Sequence, residues 1–496
     1  MRRLNFVTKS AVSAIALTAS LTLATGAFGQ AAGVADPGPR AGTPPLLPLF
    51  GLNALSTADL NAAEAAEQQQ FPGRYSINST GPAEIEMFNA ATTIFTETVS
   101  VLPAGTTGHI DDAPSGFIDG GGLGPSFNMN SCIGCHAFPI EGGSSGTINP
   151  QVKVATLDGA KNTIPPFISS TGPIREARFI TNGGVTDGGV HGLFVITGRS
   201  DAKGCTTTQV NWPQQVAANN VIFRIPISTF GDGLVEATPD ANFVNDSAAQ
   251  ASVGSGLGVT TGVFNHNGNT GTIAHFGWKA QNDSLLLFSG EAYNVEEGVT
   301  NELFPAERDG TADCQFNGLP EDDTAPASIT SLPTDPTGFT AVDASSDITD
   351  FAIFTRFLAA PHTGTQTAAT SQGESEFVSI GCGVCHIITH ETGSSTFTGQ
   401  TNTLWHPLSD FALHDMGTGL QDRVSQGQAN GLQFRTAPLW GIGQRTFFLH
   451  DGRTNNLVTA IEDHSSSGSE ANNVVSAFNK LSATNQQDII TFLRSL

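Results

Sequence analysis

Cys132-Ile133-Gly134-Cys135-His136 and Cys382-Gly383-Val384-Cys385-His386 are two copies of one pattern, and their reading decides the fold. Two thiols separated by two residues can form thioethers to the two vinyl groups of one haem. The adjacent histidine then lies beneath the iron as proximal ligand. A zinc knuckle would want a second cysteine pair nearby, and these two pairs lie 250 residues apart. A thioredoxin-like redox pair does not require the following histidine. Cys132, Cys135, Cys382 and Cys385 are therefore expected to attach two covalently bound c-type haems, with His136 and His386 on the irons.

Haem attachment of this kind takes place outside the cytoplasm, and the N-terminus agrees. Arg2, Arg3 and Lys9 precede an apolar run from Ala11 to about Ala24, and Ala27-Phe28-Gly29 offers small residues for cleavage before Gln30. Residues 1–29 are thus expected to be a signal peptide and the protein to be periplasmic. Arg2-Arg3 could also be read as a twin-arginine signal, but attachment to an unfolded chain favours export unfolded. No later apolar run approaches the ~18 residues needed to span a bilayer. Cys205 and Cys314 are left over. In an oxidising compartment they form a disulfide or stay as two free thiols.

The 496 residues carry 21 Lys+Arg against 45 Asp+Glu, a formal charge of −24. That excludes a nucleic-acid partner, whose phosphates need a basic face, and attachment to an anionic membrane surface. With 56 glycines, long loops and turns are expected. Residues 30–75 read as a linker or arm, 76–345 as a first haem domain with an insertion, and 346–496 as a C-terminal cytochrome c domain. Helices are expected over Glu84–Val101, Asp347–Ala359 and Ser371–Ile380, and at the chain end, where Ile489, Ile490, Phe492, Leu493 and Leu496 share a face. Thr484 with Gln487 suggests a capping box for that last helix. Val190–Thr197 and Asn220–Ile227 are the clearest strands. The fold class is mainly α: two cytochrome-c-like haem domains with long loops, and a β-containing elaboration in the first.

Longer stretches carry a resemblance. Leu123-Gly124-Pro125-Ser126-Phe127-Asn128 precedes the first motif. Phe230-Gly231-Asp232-Gly233-Leu234-Val235-Glu236-Ala237, Phe276-Gly277-Trp278-Lys279-Ala280 and Ser409-Asp410-Phe411-Ala412-Leu413-His414-Asp415-Met416-Gly417 follow it. In these the chain resembles, over most of residues 85–496, the bacterial di-haem oxidoreductases of peroxidase type, also called thiol oxidoreductase-like. That family is similar in turn to the di-haem cytochrome c peroxidases and the methylamine-utilisation di-haem enzyme. Arg435-Thr436-Ala437-Pro438-Leu439 and Phe448-Leu449-His450-Asp451-Gly452 look like their second-haem region. The resemblance implies that His464, one helix past the His450 turn, is the second axial ligand of the second haem. Met416 is the rival, because a distal methionine is the ordinary arrangement in a monohaem cytochrome c. The resemblance further implies that Glu296 works as acid/base at the first haem. The glutamine which relatives keep upstream is not matched here. Some relatives hold calcium between their domains.

Other residues have two readings each. His191, His266 and His275 could cap the first iron or be hydrogen-bonded structural histidines. Trp278 could relay electrons between haems or fill a core. Arg435 could hold a haem propionate through a bidentate contact or cap a helix end. Phenylalanine, at 32, far outnumbers tyrosine, at 2, which suits resistance to strong oxidants and equally suits lineage bias. Three functions fit: a peroxidase-like oxidoreductase taking electrons from a small redox protein at the second haem and reducing substrate at the first; an electron-transfer cytochrome with both irons six-coordinate; or a di-haem oxygenase. The first-haem pocket discriminates. A carboxylate aimed into it favours peroxidase, an apolar pocket oxygenase, and a capping His or Met electron transfer.

Overall fold

A computed structural model describes residues 33–40, 82–101, 119–120, 122–315, 320–322 and 346–496. The expected signal peptide and most of the expected arm lie outside the described residues.

Two helix pairs organise the molecule. Helix α1 (Pro82–Thr96) leads toward the first motif, and α4 (Asp347–Phe357) packs across it. Phe95 of α1 stacks on Phe354 of α4 with centroids 4.0 Å apart and lies 6.4 Å from the His136 ring. The second motif repeats the arrangement. Helix α5 (Ala368–Ser379) leads into it and α8 (Ala483–Ser495) crosses α5. Phe377 of α5 sits 5.6 Å from Phe492 of α8 and 6.0 Å from the His386 ring. Each pair buries its aromatic stripe in its own core, one holding Phe88, Phe95, Phe351 and Phe354, the other Phe377, Ile489, Ile490 and Leu493. The crossing of α5 and α8 is close because position 373 has no side chain: a Cβ there would stand 2.0 Å from the Asp488 carbonyl oxygen.

Helix α4, which follows the boundary expected at 345/346, packs with the first half. Ile348, Phe351, Phe354 and Phe357 of α4 belong to the first core, because their aromatic faces are matched by α1. Between α1 and α4 lies a largely irregular region with small sheets. Its main sheet has order β2-β1-β3, with β1 Glu176–Phe179, β2 Val190–His191 and β3 Val221–Arg224, all antiparallel. Helix α2 (Asp240–Leu257) and helix α3 (Leu285–Ala292) follow, and α3 runs on into a π-turn, Tyr293–Glu297. Beyond α5, the hairpin β4 (Leu413–Asp415) and β5 (Gln433–Arg435) pairs Leu413 with Arg435. Helices α6 (Leu457–Asp463) and α7 (Asn472–Phe478) complete the second half.

Several local expectations shift. The strand expected over Val190–Thr197 divides into β2 and Phe194–Val195, which pairs with Ser126–Phe127 in a separate sheet. That over Asn220–Ile227 ends at Arg224, ahead of Pro226, which has no N–H to give a ladder. The first helix stops at Thr96, and β-branched Thr98 and Val99 form a short strand. The last helix is capped by Ser482, whose hydroxyl accepts from Asn485 N at 3.2 Å, rather than by Thr484. The capping box belongs to α5, between Thr367 and Thr370. Cys205 and Cys314 are disulfide-bonded with Cα atoms 4.5 Å apart. The described part of the arm is docked: Val34 is buried in the second core, and Asp36 takes Arg494 Nη2 and Leu457 N, each at 2.7 Å.

Candidate functional site

The chain turns the same way after both motifs. The His136 amide donates to Cys132 O and the His386 amide to Cys382 O, both at 2.9 Å. This closes one turn and swings each imidazole under its own cysteine pair. Nδ1 of His136 lies 3.0 Å from Gly143 O and Nδ1 of His386 lies 2.9 Å from Leu408 O. With Nδ1 donating to a carbonyl, Nε2 is left with its lone pair free, the tautomer an iron ligand needs. Burial pushes both rings down to about 4, so each is neutral and ready to ligate. Each motif opens on a cavity.

The first cavity has a volume of about 160 Å³ and the second about 220 Å³. Cys132, Cys135 and His136 line the first; Cys382, Cys385 and His386 line the second. Trp278 lines both, and no other described residue does. Its indole Nε1 donates to Ile225 O at 2.9 Å, and its carbonyl accepts from Arg435 N at 2.9 Å, so its place is held from both halves.

The second cavity holds His464 and Met416 as well as His386. His464 Nδ1 is 2.6 Å from Ala460 O, which frees its Nε2 as in the two motif histidines. Arg435 Nη1 donates to His275 O at 2.7 Å, while its Nε is buried without a partner. Arg445 also lines this cavity, and both its Nε and its Nη2 are buried without partners. Burial lowers both guanidines to about 10, still charged at neutral pH. Orphaned cationic donors beside a paired-thiol cavity suit the propionates of a haem. Arg445 went unseen in the sequence, where a lone arginine in an apolar run carries no local signal. His450 lines the cavity with its ring stacked on Phe434, centroids 4.2 Å apart.

The first cavity is lined by Glu176, Glu291, Glu296 and Glu297, with Arg175, Arg178 and Arg224. Glu296 sits in the π-turn after α3. Burial and the neighbouring Glu176 carboxylate raise its carboxyl well above the usual range, against the Asn128 amide, which donates to Oε2 at 3.0 Å. Glu297 is pushed up to about 8 by burial, and its Oε2 is buried without a partner. The Gln281 side chain lines the same cavity, with Oε1 buried and unpartnered. A thiol pair, a neutral imidazole and unpartnered polar atoms fit a haem here too. The three candidate capping histidines do not line this cavity. His191 pairs with Asp187 at 2.8 Å, His266 lies 3.4 Å from Gln428, and His275 faces Asp240 at 3.6 Å.

Between the cavities runs a buried charge network. Arg224 Nη2 and Lys279 Nζ contact opposite oxygens of Asp422 at 2.8 and 3.1 Å. Lys279 Nζ also lies 4.0 Å above the Phe434 ring. Among the described residues no group of three or more His, Cys, Asp or Glu is placed to hold a metal ion, and none of the helices is long and apolar enough to cross a membrane.

Residues 181–496 match the family model described as "Di-haem oxidoreductase, putative peroxidase". The chain belongs to that family. A search of curated proteins returns no match. Among solved structures, the chain is similar to a MauG-like protein associated with microbial copper homeostasis. The two are 18% identical with a TM-score of 0.23, over 32% of this chain and 55% of that one. It is also similar to the Kuenenia stuttgartiensis hydrazine synthase, at 16% identity and a TM-score of 0.20, over 50% of this chain and 80% of that one. The chain thus spans about half the length of the MauG-like protein.

Proposed function

Taking membership of the di-haem oxidoreductase family as premise, we propose that this protein is an exported peroxidase-like enzyme with two covalently bound c-type haems. The first unit is built on α1 and α4 with the β-containing elaboration, the second on α5 and α8, each a cytochrome-c-like domain. Cys132 and Cys135 attach the first haem and Cys382 and Cys385 the second. His136 ligates the first iron, and His386 with His464 the second. His464 is preferred to Met416 because its Nδ1 is already engaged by Ala460 O, as in the motif histidines. Arg435 and Arg445 hold propionates of the second haem. A small redox protein delivers electrons there, and substrate is reduced at the first.

The observation that carries this reading is the carboxyl set of the first cavity. Bound haem supplies a redox-active iron beside those residues. Reduction of hydrogen peroxide consumes two electrons and two protons and yields two waters. Glu296, protonated and half-buried along the cavity wall, gives a proton to the departing oxygen and is reprotonated afterwards. Trp278, lining both cavities, provides the aromatic step between the one-electron donor side and the reacting side. The carboxyl set favours this reading over an oxygenase, and no histidine besides His136 lines the first cavity, although Met129 does.

Electron paramagnetic resonance and absorption spectra of the ferric protein test this. One high-spin and one low-spin haem, with the high-spin signal changing on added peroxide, is the expected result. Two low-spin haems unaffected by peroxide, even after one-electron reduction, would overturn it and leave an electron-transfer cytochrome.

A further inference from the structure

The first cavity holds one carboxyl, that of Glu176, which the reading above leaves without a role. Glu176 opens β1 and stands in register with Arg224 of β3. The adjacent strand position places Arg178 two residues on, with its Nε 2.6 Å from Glu176 Oε1. Arg178 Nη1 is fixed in turn by Gly188 O at 3.0 Å. Glu176 and Glu296 both line the first cavity, and their carboxyls act on each other as hydrogen-bonding neighbours. Two carboxyls can do so only if one of them keeps its proton. The surroundings say which one. Glu176 has the guanidinium at hydrogen-bond distance and a second cation, Arg224, across the sheet. Glu296 has a neutral donor, the Asn128 amide, on its Oε2, while Arg178 and Arg308 act on it through space without a hydrogen bond. The ionised partner is therefore Glu176, and the proton sits on Glu296.

We infer that Glu176 is a positioning residue for Glu296: an ionised carboxylate, clamped by Arg178, which accepts the Glu296 carboxyl hydrogen and so fixes both the place of that proton and the direction of the side chain in the first cavity. The inference rests on the peroxidase reading for its consequence, since a proton held there is available to a substrate oxygen. The pair itself does not depend on that reading. Asn128 and Glu176 both act on the Glu296 carboxyl, so it cannot turn away from the cavity without losing both partners. The π-turn that carries Glu296 is locked as well. The Asn128 and Met129 amides donate to Glu296 O at 2.7 and 3.2 Å, and Arg308 Nη1 donates to Val295 O at 2.9 Å. The charged and titratable groups acting on Glu296 are Glu176 and Arg178 from β1 and Arg308 from the loop beyond the π-turn. Glu291 of α3 and Arg224 of β3 line the same cavity. Burial with Glu176 as neighbour keeps Glu296 protonated, and Arg178 opposes it.

The test is infrared spectroscopy of the holoprotein in the protonated-carboxyl region, titrated with pH. The wild-type minus Glu296→Gln difference isolates the Glu296 band. In Glu176→Gln the negative neighbour is gone, so the Glu296 band should titrate away at a pH lower by at least about one unit, a tenfold change in acidity. In Arg178→Gln the opposing cation is gone, and the midpoint should rise. Both variants break the same Arg178–Glu176 contact. Simple loosening of the strand would therefore move both midpoints in one direction, and that result would overturn the inference. So would a Glu296 band that does not move in Glu176→Gln. The peroxide response of the high-spin signal is read separately on the same samples. Its absence with the opposite infrared shifts intact would count against the peroxidase reading and leave the pair standing.

Discussion

Replacing Gly373 with alanine asks whether the second motif is held by backbone contact between α5 and α8 or merely by the local preference of α5. A Cβ at 373 would stand 2.0 Å from Asp488 O, 2.5 Å from Asp488 C and 2.8 Å from Phe492 Cβ. Two of these atoms are backbone of α8, so no side-chain rotation relieves them. Reaching an ordinary contact of 3.4 Å needs the helices to part by about 1.4 Å along that line. Two terms then compete. Alanine gains about 1 kcal/mol over glycine in a helix interior. Overpacking costs about 1–3 kcal/mol, and more where the neighbour is backbone. Parting the helices also slackens Phe377 against Phe492 and, through it, the wall behind His386. The expected balance is a loss of about 1–2 kcal/mol, a fall in Tm of roughly 2–8 °C, read by calorimetry of the holoprotein with the second-haem absorption followed in parallel. Gly256 is the control: it is exposed in α2 and a Cβ there meets nothing within 4 Å. Gly256→Ala should stabilise by up to about 1 kcal/mol. If both variants stabilise alike, the close-contact argument is refuted.

Three further outcomes are expected. Arg445→Gln removes a buried cation from the second cavity and should lower the potential of the second haem in a spectroelectrochemical titration, by about 59 mV for each 1.4 kcal/mol of lost interaction in a one-electron couple; an unchanged potential would exclude a role beside the propionates. Asp36 is raised by burial, but the bonds from Arg494, Leu457 N and Gly38 N outweigh this and hold it below its ordinary 3.8. Its contribution is thus present above pH 3.8 and is lost as pH falls through the lower folded value. Asp36→Asn should cost about 3 kcal/mol near neutral pH, because Arg494 stays buried without its counter-charge, and the gap to wild type should narrow in acid; a gap independent of pH would refute the ion-pair account. Replacing both Cys205 and Cys314 with serine opens a loop closed over 109 residues and should cost about 2–5 kcal/mol in urea unfolding; a loss below about 1 kcal/mol would mean that the chain between them stays ordered when unfolded.

The chemistry-bearing segments were legible because their signal is local. Cys-x-x-Cys-His is a five-residue pattern that needs no tertiary partner to be read, and the two copies bring four thiols and two histidines to the two cavities. The helices before the second motif and at the chain end were legible for the same reason, since 3.6-residue periodicity is written in neighbouring positions. Cap positions and strand ends were off by a few residues, where Ser482, Pro226 and the β-branched pair Thr98-Val99 decide the outcome.

What neighbours across space decide could not be read that way. Asp347–Phe357 has the periodicity of a helix, but only its matching to the Phe88 and Phe95 face of α1 assigns it to the first core, 265 residues after that helix began. Trp278 was visible as a tryptophan; its place along both cavities follows from where Ile225 and Arg435 hold it. Arg445 is an ordinary arginine in the sequence and an orphaned donor in the fold. Glu176 and Glu296 stand 120 positions apart in the chain. Which of them keeps the proton depends on an arginine beside one and an amide beside the other, because a buried carboxyl takes its charge state from the groups within a few ångströms of it and those groups are chosen by packing.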